Sequence, residues 1–436
     1  MPWKTWLADA IEHTLETNGF QNVDISIAHV GIHGITFDKI AIGRPQPLVL
    51  EHLTIGYSLP ELWHRHFETF TLRGVHLEAG KENDSWSANG FEGFSNTPTD
   101  TVSEPFTWPV STAELTAIPF ENLTIEESSL KLTTPDWKAE LPFNLRWKKG
   151  PTPTLSYTSL ASELHLGTVP TTIKRMAFDA KLNPEAKRWD GNWEMDGIQV
   201  KDAPLPVPTL QGNGILSATR DVVEVTGGFK SADTTYRSDL TLRYLFANPE
   251  KSALTIQAML LPWNEGTLAV HNVRIPFTTT SDIKLDLEVR HVSVEALMQT
   301  LTKNRASATG RVSGTIPVII KPDGSFLIHA GSLTADEPGT IAVSPDAIPG
   351  DNASVALVRD MLTNLHYKLL SIGMESGKDK KFSVTFAVEG NNPDVYEGRP
   401  VKLNVHFGGD VLELLEQSMI SFTDPKKLIE QGKGKP

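Results

Sequence analysis

The sequence predicts a mainly β protein with a few short helices, and three observations carry that prediction. Apolar and polar residues alternate from about residue 23 almost to the C-terminus, as in Val23-Asp24-Ile25-Ser26-Ile27 and Phe70-Thr71-Leu72-Arg73-Gly74-Val75-His76-Leu77. A period of two places every second side chain on one face of a strand, so the sheet has one apolar and one polar face. The 32 Gly and 29 Pro fall mainly between these runs, where turns need them. Helical spacing is confined to short stretches.

Residues 1–22 contain the first helix. Trp3, Trp6, Leu7, Ala10, Ile11 and Leu15 repeat at helical spacing, Asp9, Glu12, His13 and Glu16 lie opposite, and Gly19 ends the run. The plain reading is a helix capping the first strands. A sharper one seats the two Trp at a membrane interface. Residues 23–80 read as short strands with turns at Gly31, Gly34, Gly43-Arg44-Pro45 and Gly74, and Leu59–Trp63 as a one-turn insertion. Residues 81–112 lose the period and collect Gly, Ser, Thr, Asn and Pro, so they read as a loop or linker. Strand patterning returns over 113–290, with Pro-rich breaks at 149–154 and 203–209. Residues 291–424 mix strands with helices predicted over 293–303, 353–364 and 410–419, the second capped by Asn352 and the third by Asp410. The tail 425–436, rich in Lys, reads as a solvated, frayed end.

The 436 residues far exceed one core; a core needs about 100–200. Either several domains or one sheet growing strand by strand is implied. With 39% hydrophobic and 21% charged residues the chain is not disordered. A net charge of −13 argues against nucleic acid as a partner. The absence of Cys excludes disulfides, thiolate metal sites and Cys nucleophiles, and suits the cytosol or the periplasm. No stretch reaches the ~18–20 apolar residues of a membrane span, and residues 1–20 lack the apolar core of a signal peptide.

Chemical motifs are weak. His64 and His66, with His52 and His76, form the densest His group, but no third ligand or helical Glu-His pair marks a metal site. Ser128-Ser129-Leu130-Lys131 matches a bare Ser-x-x-Lys string without its partner motifs. Gly373-Met374-Glu375-Ser376-Gly377-Lys378 has too few residues between its glycines for a phosphate loop. No enzyme, cofactor or metal is expected. The alternating apolar residues themselves leave two readings: the closed core of a sandwich, which patterning alone favours, or a lipid groove.

Three N-terminal stretches, Gly34-Ile35-Thr36-Phe37-Asp38-Lys39-Ile40-Ala41-Ile42-Gly43, Leu53–Leu62 and Phe70–Leu77, resemble the opening of AsmA-like proteins, and the YdbH-type branch in particular. Ala308–Pro317, Ala330–Leu333, Pro338–Ile341, Glu389–Asp394 and Gly398–Asn404 are similar to the same branch. The resemblance implies an elongated, curved antiparallel sheet whose concave face is a hydrophobic groove. It implies a periplasmic bridge, anchored to the inner membrane, that moves phospholipid between the two membranes of a Gram-negative envelope. The family's N-terminal membrane helix has no counterpart here, so the anchor is expected upstream. About 20–25 strands at ~4.8 Å each give an axis on the order of 100 Å, short for a full bridge.

The groove lining expected from this resemblance is Ile25, Ile27, Ile40, Ile42, Leu53, Ile55, Phe70, Leu72, Leu123 and Ile125, with Leu285 and Leu287 further along. A one-residue slip would reverse any strand's assignment. Expected partners are phospholipid, the inner membrane and the outer membrane or one of its lipoproteins, with the chain a monomer. The rivals are a closed β scaffold assisting outer-membrane protein assembly and a dicarboxylate transporter, for which no Arg or Lys cluster is evident.

Overall fold

The computed structural model describes residues 2–63, 66–82, 85–91, 107–116, 118–135, 137–166, 169–201, 207–233, 235–277, 281–302, 305–322, 326–345, 353–376 and 382–409. Among them the fold is mainly β: 24 strands assigned to one hydrogen-bonded sheet, with short helices between. The expected helix over 410–419, the basic tail, Asn352, Asp410 and His64 lie outside the described residues. The chain divides into two compact units.

The first unit takes the described residues of Met1–Asp202, Val207–Gly228 and Leu242–Pro249. It opens with α1 (Pro2–Thr17), β1 (Asp24–Gly31), β2 (Gly34–Ile42), β3 (Leu48–Gly56), α2 (Leu59–Trp63), β4 (Phe67–Glu82) and β5 (Ser85–Ala88). After α3 (Thr112–Leu115) come β6 (Phe120–Thr133), β7 (Trp137–Lys148), β8 (Thr154–Leu166), β9 (Val169–Asn183), β10 (Arg188–Val200) and β11 (Leu210–Ala218). Strands β1 to β4, and then β6 to β11, pair antiparallel in sequence order. Between them β4 pairs β6 in parallel, Phe70 beside Leu123 and Leu72 beside Ile125. A parallel neighbour needs a long return connection, and residues 83–119 supply it.

Helix α1 lies on the first strands. Its Ala8 is buried with Val23, Ile25, Phe37, Ile40 and Ile42, and Ile11 and Leu15 pack against them. Two carboxylates on the same helix set its position: Glu12 accepts from the Ile25 N–H at 2.7 Å and Glu16 from the Val23 N–H at 3.5 Å.

Four strands of this unit carry a residue with left-handed backbone: Gly74 (φ 65°), Glu127 (φ 49°), Ala161 (φ 49°) and Gly197 (φ 64°). Each sits where the side-chain alternation gains one residue, as in a β-bulge. Inward residues then fall three apart instead of two, as at Leu72 and Val75, Ile125 and Ser128, or Met195 and Ile198, and the face is kept. Polar groups freed at these points are satisfied locally. The buried Ser128 hydroxyl accepts from the Val75 N–H at 3.0 Å and donates to Glu126 O at 2.9 Å. Ser159 Oγ donates to Pro142 O and lies 2.6 Å from Ser162 Oγ.

The second unit takes the described residues of Phe229–Thr241 and those from Glu250 onward, so the division runs through β12 (Val222–Ser231) and β13 (Arg237–Leu245). It continues with β14 (Ala253–Trp263), β15 (Gly266–Pro276), β16 (Ile283–Ser293), α4 (Val294–Thr302), β17 (Ala306–Ala308), β18 (Arg311–Ile320), β19 (Phe326–Ile328), β20 (Gly331–Ala335), β21 (Gly339–Val343), α5 (Ala353–Leu362), β22 (Leu365–Ser376), β23 (Phe382–Asn391) and β24 (Val401–Gly409). This unit has a filled core. Leu268, Val289, Leu333, Ile372 and Phe386 are buried in one cluster with Val294, Leu297 and Met298 of α4 and Met361 and Leu362 of α5. Asn392, fully buried, donates from its amide to Asp360 O at 2.9 Å and Met361 O at 3.3 Å, satisfying carbonyls at the end of α5. Tyr367 is also buried, its hydroxyl donating to Thr309 O at 2.7 Å; a Cβ on Gly310 would meet that hydroxyl at 2.2 Å.

Candidate functional site: an apolar sheet face

The pairing register of the first unit builds two apolar rows across its strands. One runs Ile35, Ile55, Phe70, Leu123, Trp147, Leu155, Ala180, Gly191, Leu216, each the cross-strand partner of the next. The other runs Phe37, Leu53, Leu72, Ile125, Leu145, Tyr157, Phe178, Trp193, Gly214 by the same pairings. Members of the two rows are two residues apart on every strand, so both rows lie on one face. The residues between them point the other way: Thr36, Thr54, Thr71, Thr124, Arg146, Ser156, Asp179, Asn192 and, as the one apolar member, the exposed Ile215. That face is polar, with exposed pairs such as Arg73–Glu127 at 2.7 Å and Arg146–Glu126 at 3.6 Å, which stabilise little.

Aromatic rings thicken the apolar face. Phe143, Tyr157 and Phe178 stack in succession, with centroids 6.0 Å and 5.1 Å apart. Phe67, Phe70, Phe120 and Trp147 meet edge-on or tilted along one side, at 5.4, 5.0 and 5.6 Å. Burial raises the Tyr157 phenol above its ordinary pKa, against an opposing hydrogen bond from Ser159. Trp193 lies flat on backbone: a Cβ at Gly214 would meet its Nε1 at 2.7 Å and one at Gly227 its Cζ2 at 2.6 Å, so glycine makes room for the indole.

The face is covered at both ends. Over β1 and β2 it carries α1. Over β9 to β11 it carries the segment around α3, whose Val110 and Leu115 are buried with Ala180, Leu182, Trp189 and Ala218. This strap is held by Trp189 Nε1 donating to Pro109 O at 2.8 Å, by the Trp108 N–H donating to Arg220 O at 2.9 Å, and by the Arg220–Glu114 ion pair. The backbone N–H of Val110 pulls the Glu114 carboxyl down most strongly; desolvation opposes it, and the hydroxyl and N–H of Ser111 and the Arg220 guanidinium add to the pull, leaving the pKa at about 2. Beside the strap is an apolar pocket lined by Trp108, Leu155, Phe178, Trp189, Leu216 and Val223. Between the covers, Phe70, Leu72, Leu123, Ile125, Leu145, Leu155 and Tyr157 are only partly buried, and no described helix packs broadly against their strands.

The sequence-expected lining residues fall into three places. Leu53, Ile55, Phe70, Leu72, Leu123 and Ile125 sit side by side on the two rows. Ile25, Ile40 and Ile42 lie buried beneath α1, with Ile27 at the edge of the same cluster. Leu285 and Leu287 pack against the core of the second unit. Sequence reading left out Leu145, Trp147, Leu155, Tyr157, Phe178 and Trp193, although Phe143-Asn144-Leu145-Arg146-Trp147 alternates as plainly as the strands before it. Of the His group, His66 Nε2 lies 2.7 Å from Glu121 Oε1 and His76 Nδ1 2.8 Å from Ser129 Oγ. Among the described residues no cluster of three His, Asp or Glu side chains could hold a metal ion. No described helix is long and apolar enough to cross a membrane.

Residues 238–433 match the YdbH-like family model, described as intermembrane phospholipid transport protein YdbH. No curated protein and no solved structure matches the chain.

Proposed function

We propose, from the premise that residues 238–433 belong to the YdbH-like family, that this chain carries phospholipid by laying acyl tails on the apolar face of its first unit. The observation that supports this reading is the pair of apolar rows left partly exposed between α1 and the strap. Large apolar residues in the middle of a sheet are normally covered, because exposing them forgoes about 25 cal/mol per Å². Here the uncovered area suits a ligand whose tails lose about 0.8 kcal/mol of favourable transfer for every CH₂ left in water. From β2 to β11 at ~4.8 Å per strand the rows extend about 40 Å, longer than the roughly 15 Å that one leaflet contributes to a ~30 Å bilayer core. A tail can therefore be held along its whole length and displaced sideways without meeting water. No bond is made or broken, so the face needs no catalytic group.

The family name speaks of transport between membranes, and the reading follows it: the chain works in the cell envelope, in the periplasm, handing phospholipid between the inner and outer membranes. The filled core of the second unit supports a structural part for that unit. The test is transfer of a fluorescent phospholipid between donor and acceptor vesicles. Leu72→Asp and Ile55→Asp place a charge in mid-row and should abolish transfer while circular dichroism stays unchanged. Unimpaired transfer, or loss of transfer only through unfolding, would remove the face from the mechanism.

A further inference from the structure

The strap around α3 stands on ground that a lipid tail would occupy. Leu155, Ala180 and Leu216, the last apolar side chains of the first row, share a cluster with Val110 and Leu115 of the strap, which are 2% and 3% exposed. A tail laid along that row therefore meets the strap over β9 to β11. There two aliphatic side chains of the chain itself cover the sheet in the way a tail covers it elsewhere.

The cover is built to come off as a piece. The Glu114 carboxylate accepts from the Val110 N–H at 2.8 Å and the Ser111 N–H at 3.0 Å, the Ser111 hydroxyl accepts from the Glu114 N–H at 3.2 Å, and the Thr116 N–H donates to Thr112 O at 3.0 Å. Groups satisfied inside the strap are not stranded when it leaves the sheet. Its charged latch is weak, because the Arg220 and Glu114 side chains keep 50% and 30% of their exposure. The fit is also incomplete. The pocket beside Trp108, about 90 Å³, has no polar lining, and a dry pocket of that kind takes hydrocarbon. It lies between Trp108 of the strap and Leu155 and Leu216 of the row, where a tail end can wedge in. Lifting the strap alone bares the row to water. Lifting it as a tail slides in covers the row again and leaves only the strap's own two side chains to be wetted. A ligand that fits only the lifted form shifts the population toward it.

We infer that the strap is a lid displaced by lipid: it closes the apolar face over β9 to β11 while no tail is there and yields its place to an arriving acyl tail. The inference rests on the phospholipid-carrying reading above, to which it adds a point of control.

The chain has no Cys, so Val110→Cys, a near match in size, supplies a single thiol on the buried side of the strap. The test is its rate of labelling by a soluble maleimide, without lipid and with vesicles of phosphatidylethanolamine and phosphatidylglycerol. Labelling should be slow without lipid and about tenfold faster or more with it. In the Leu72→Asp background, which keeps tails off the face, the vesicles should not speed it. Arg220→Ala opens the latch and should raise transfer between vesicles about two- to fivefold, with circular dichroism unchanged. Leu115→Cys repeats the labelling if Val110→Cys does not fold. Labelling that lipid leaves unaltered, or speeds equally in Leu72→Asp, would overturn the inference, as would an Arg220→Ala chain that transfers no faster than the wild type; the strap would then be a fixed cover. Lipid-dependent labelling in a chain that transfers no lipid would leave the lid standing and overturn the carrying function instead.

Discussion

Leu72 and Leu333 are the same residue type in opposite settings. Leu333 is 0% exposed inside the second unit's core, whereas Leu72 stands partly open between Leu53 and Ile125. Leu333→Ala should therefore destabilise by about 2–5 kcal/mol, the range for a fully enclosed leucine. Leu72→Ala leaves no sealed cavity and should cost roughly 1 kcal/mol. Urea midpoints of the two variants check this; equal losses would mean that the Leu72 face is closed. At Gly214 the argument concerns space. An added Cβ would lie 2.0 Å from Thr226 O and 2.7 Å from Trp193 Nε1, and that indole donates to Thr226 O at 3.2 Å. Gly214→Ala should lift the Trp193 ring and shift its emission, a change that the Trp193→Phe background would lack.

The elements that sequence reading found, and those it did not, differ in how local their causes are. Alternation in 23–80 and helical spacing at 293–303 are written in neighbouring residues, and β1 to β4 and α4 (Val294–Thr302) stand there. The bulges are not legible in this way. A run such as Leu72-Arg73-Gly74-Val75 looks like a slipped register, and only the left-handed Gly74 shows that both apolar residues keep one face. The parallel pairing of β4 with β6 is long-range and leaves no local mark. The strap did leave one: Ser111-Thr112-Ala113-Glu114 is a capping box, which straddles the end of the stretch 81–112 read as linker. Its carboxylate gives the strap a pH dependence. Glu114 has a folded pKa of about 2 against an ordinary 4.5. Depression in the folded state means the stabilisation is full above the ordinary value and is lost as pH falls through the folded one. The strap should loosen between about pH 4.5 and pH 2, read as a change in Trp108 and Trp189 fluorescence. Glu114→Gln should show no such transition; an identical acid transition in that variant would assign it to other groups.

For the whole molecule, composition set the class of answer. With no Cys, a net charge of −13 and no strong catalytic motif, what remained was a large apolar surface, whose rows lie outside the residues 238–433 that match the family model. The site was legible as a surface type before it was legible as residues. The alternation named Leu53, Ile55, Phe70, Leu72, Leu123 and Ile125, but it could not say that Ile25, Ile40 and Ile42 lie under α1, because covering is a tertiary property. The most direct test of lipid carriage is native mass spectrometry of the gently purified chain, followed by solvent extraction of whatever is bound. The account predicts bound phospholipid in the wild type and none in Leu72→Asp. A chain that carries no lipid and takes up no fluorescent phospholipid would contradict it, and would mean that the apolar face of the first unit is scaffold.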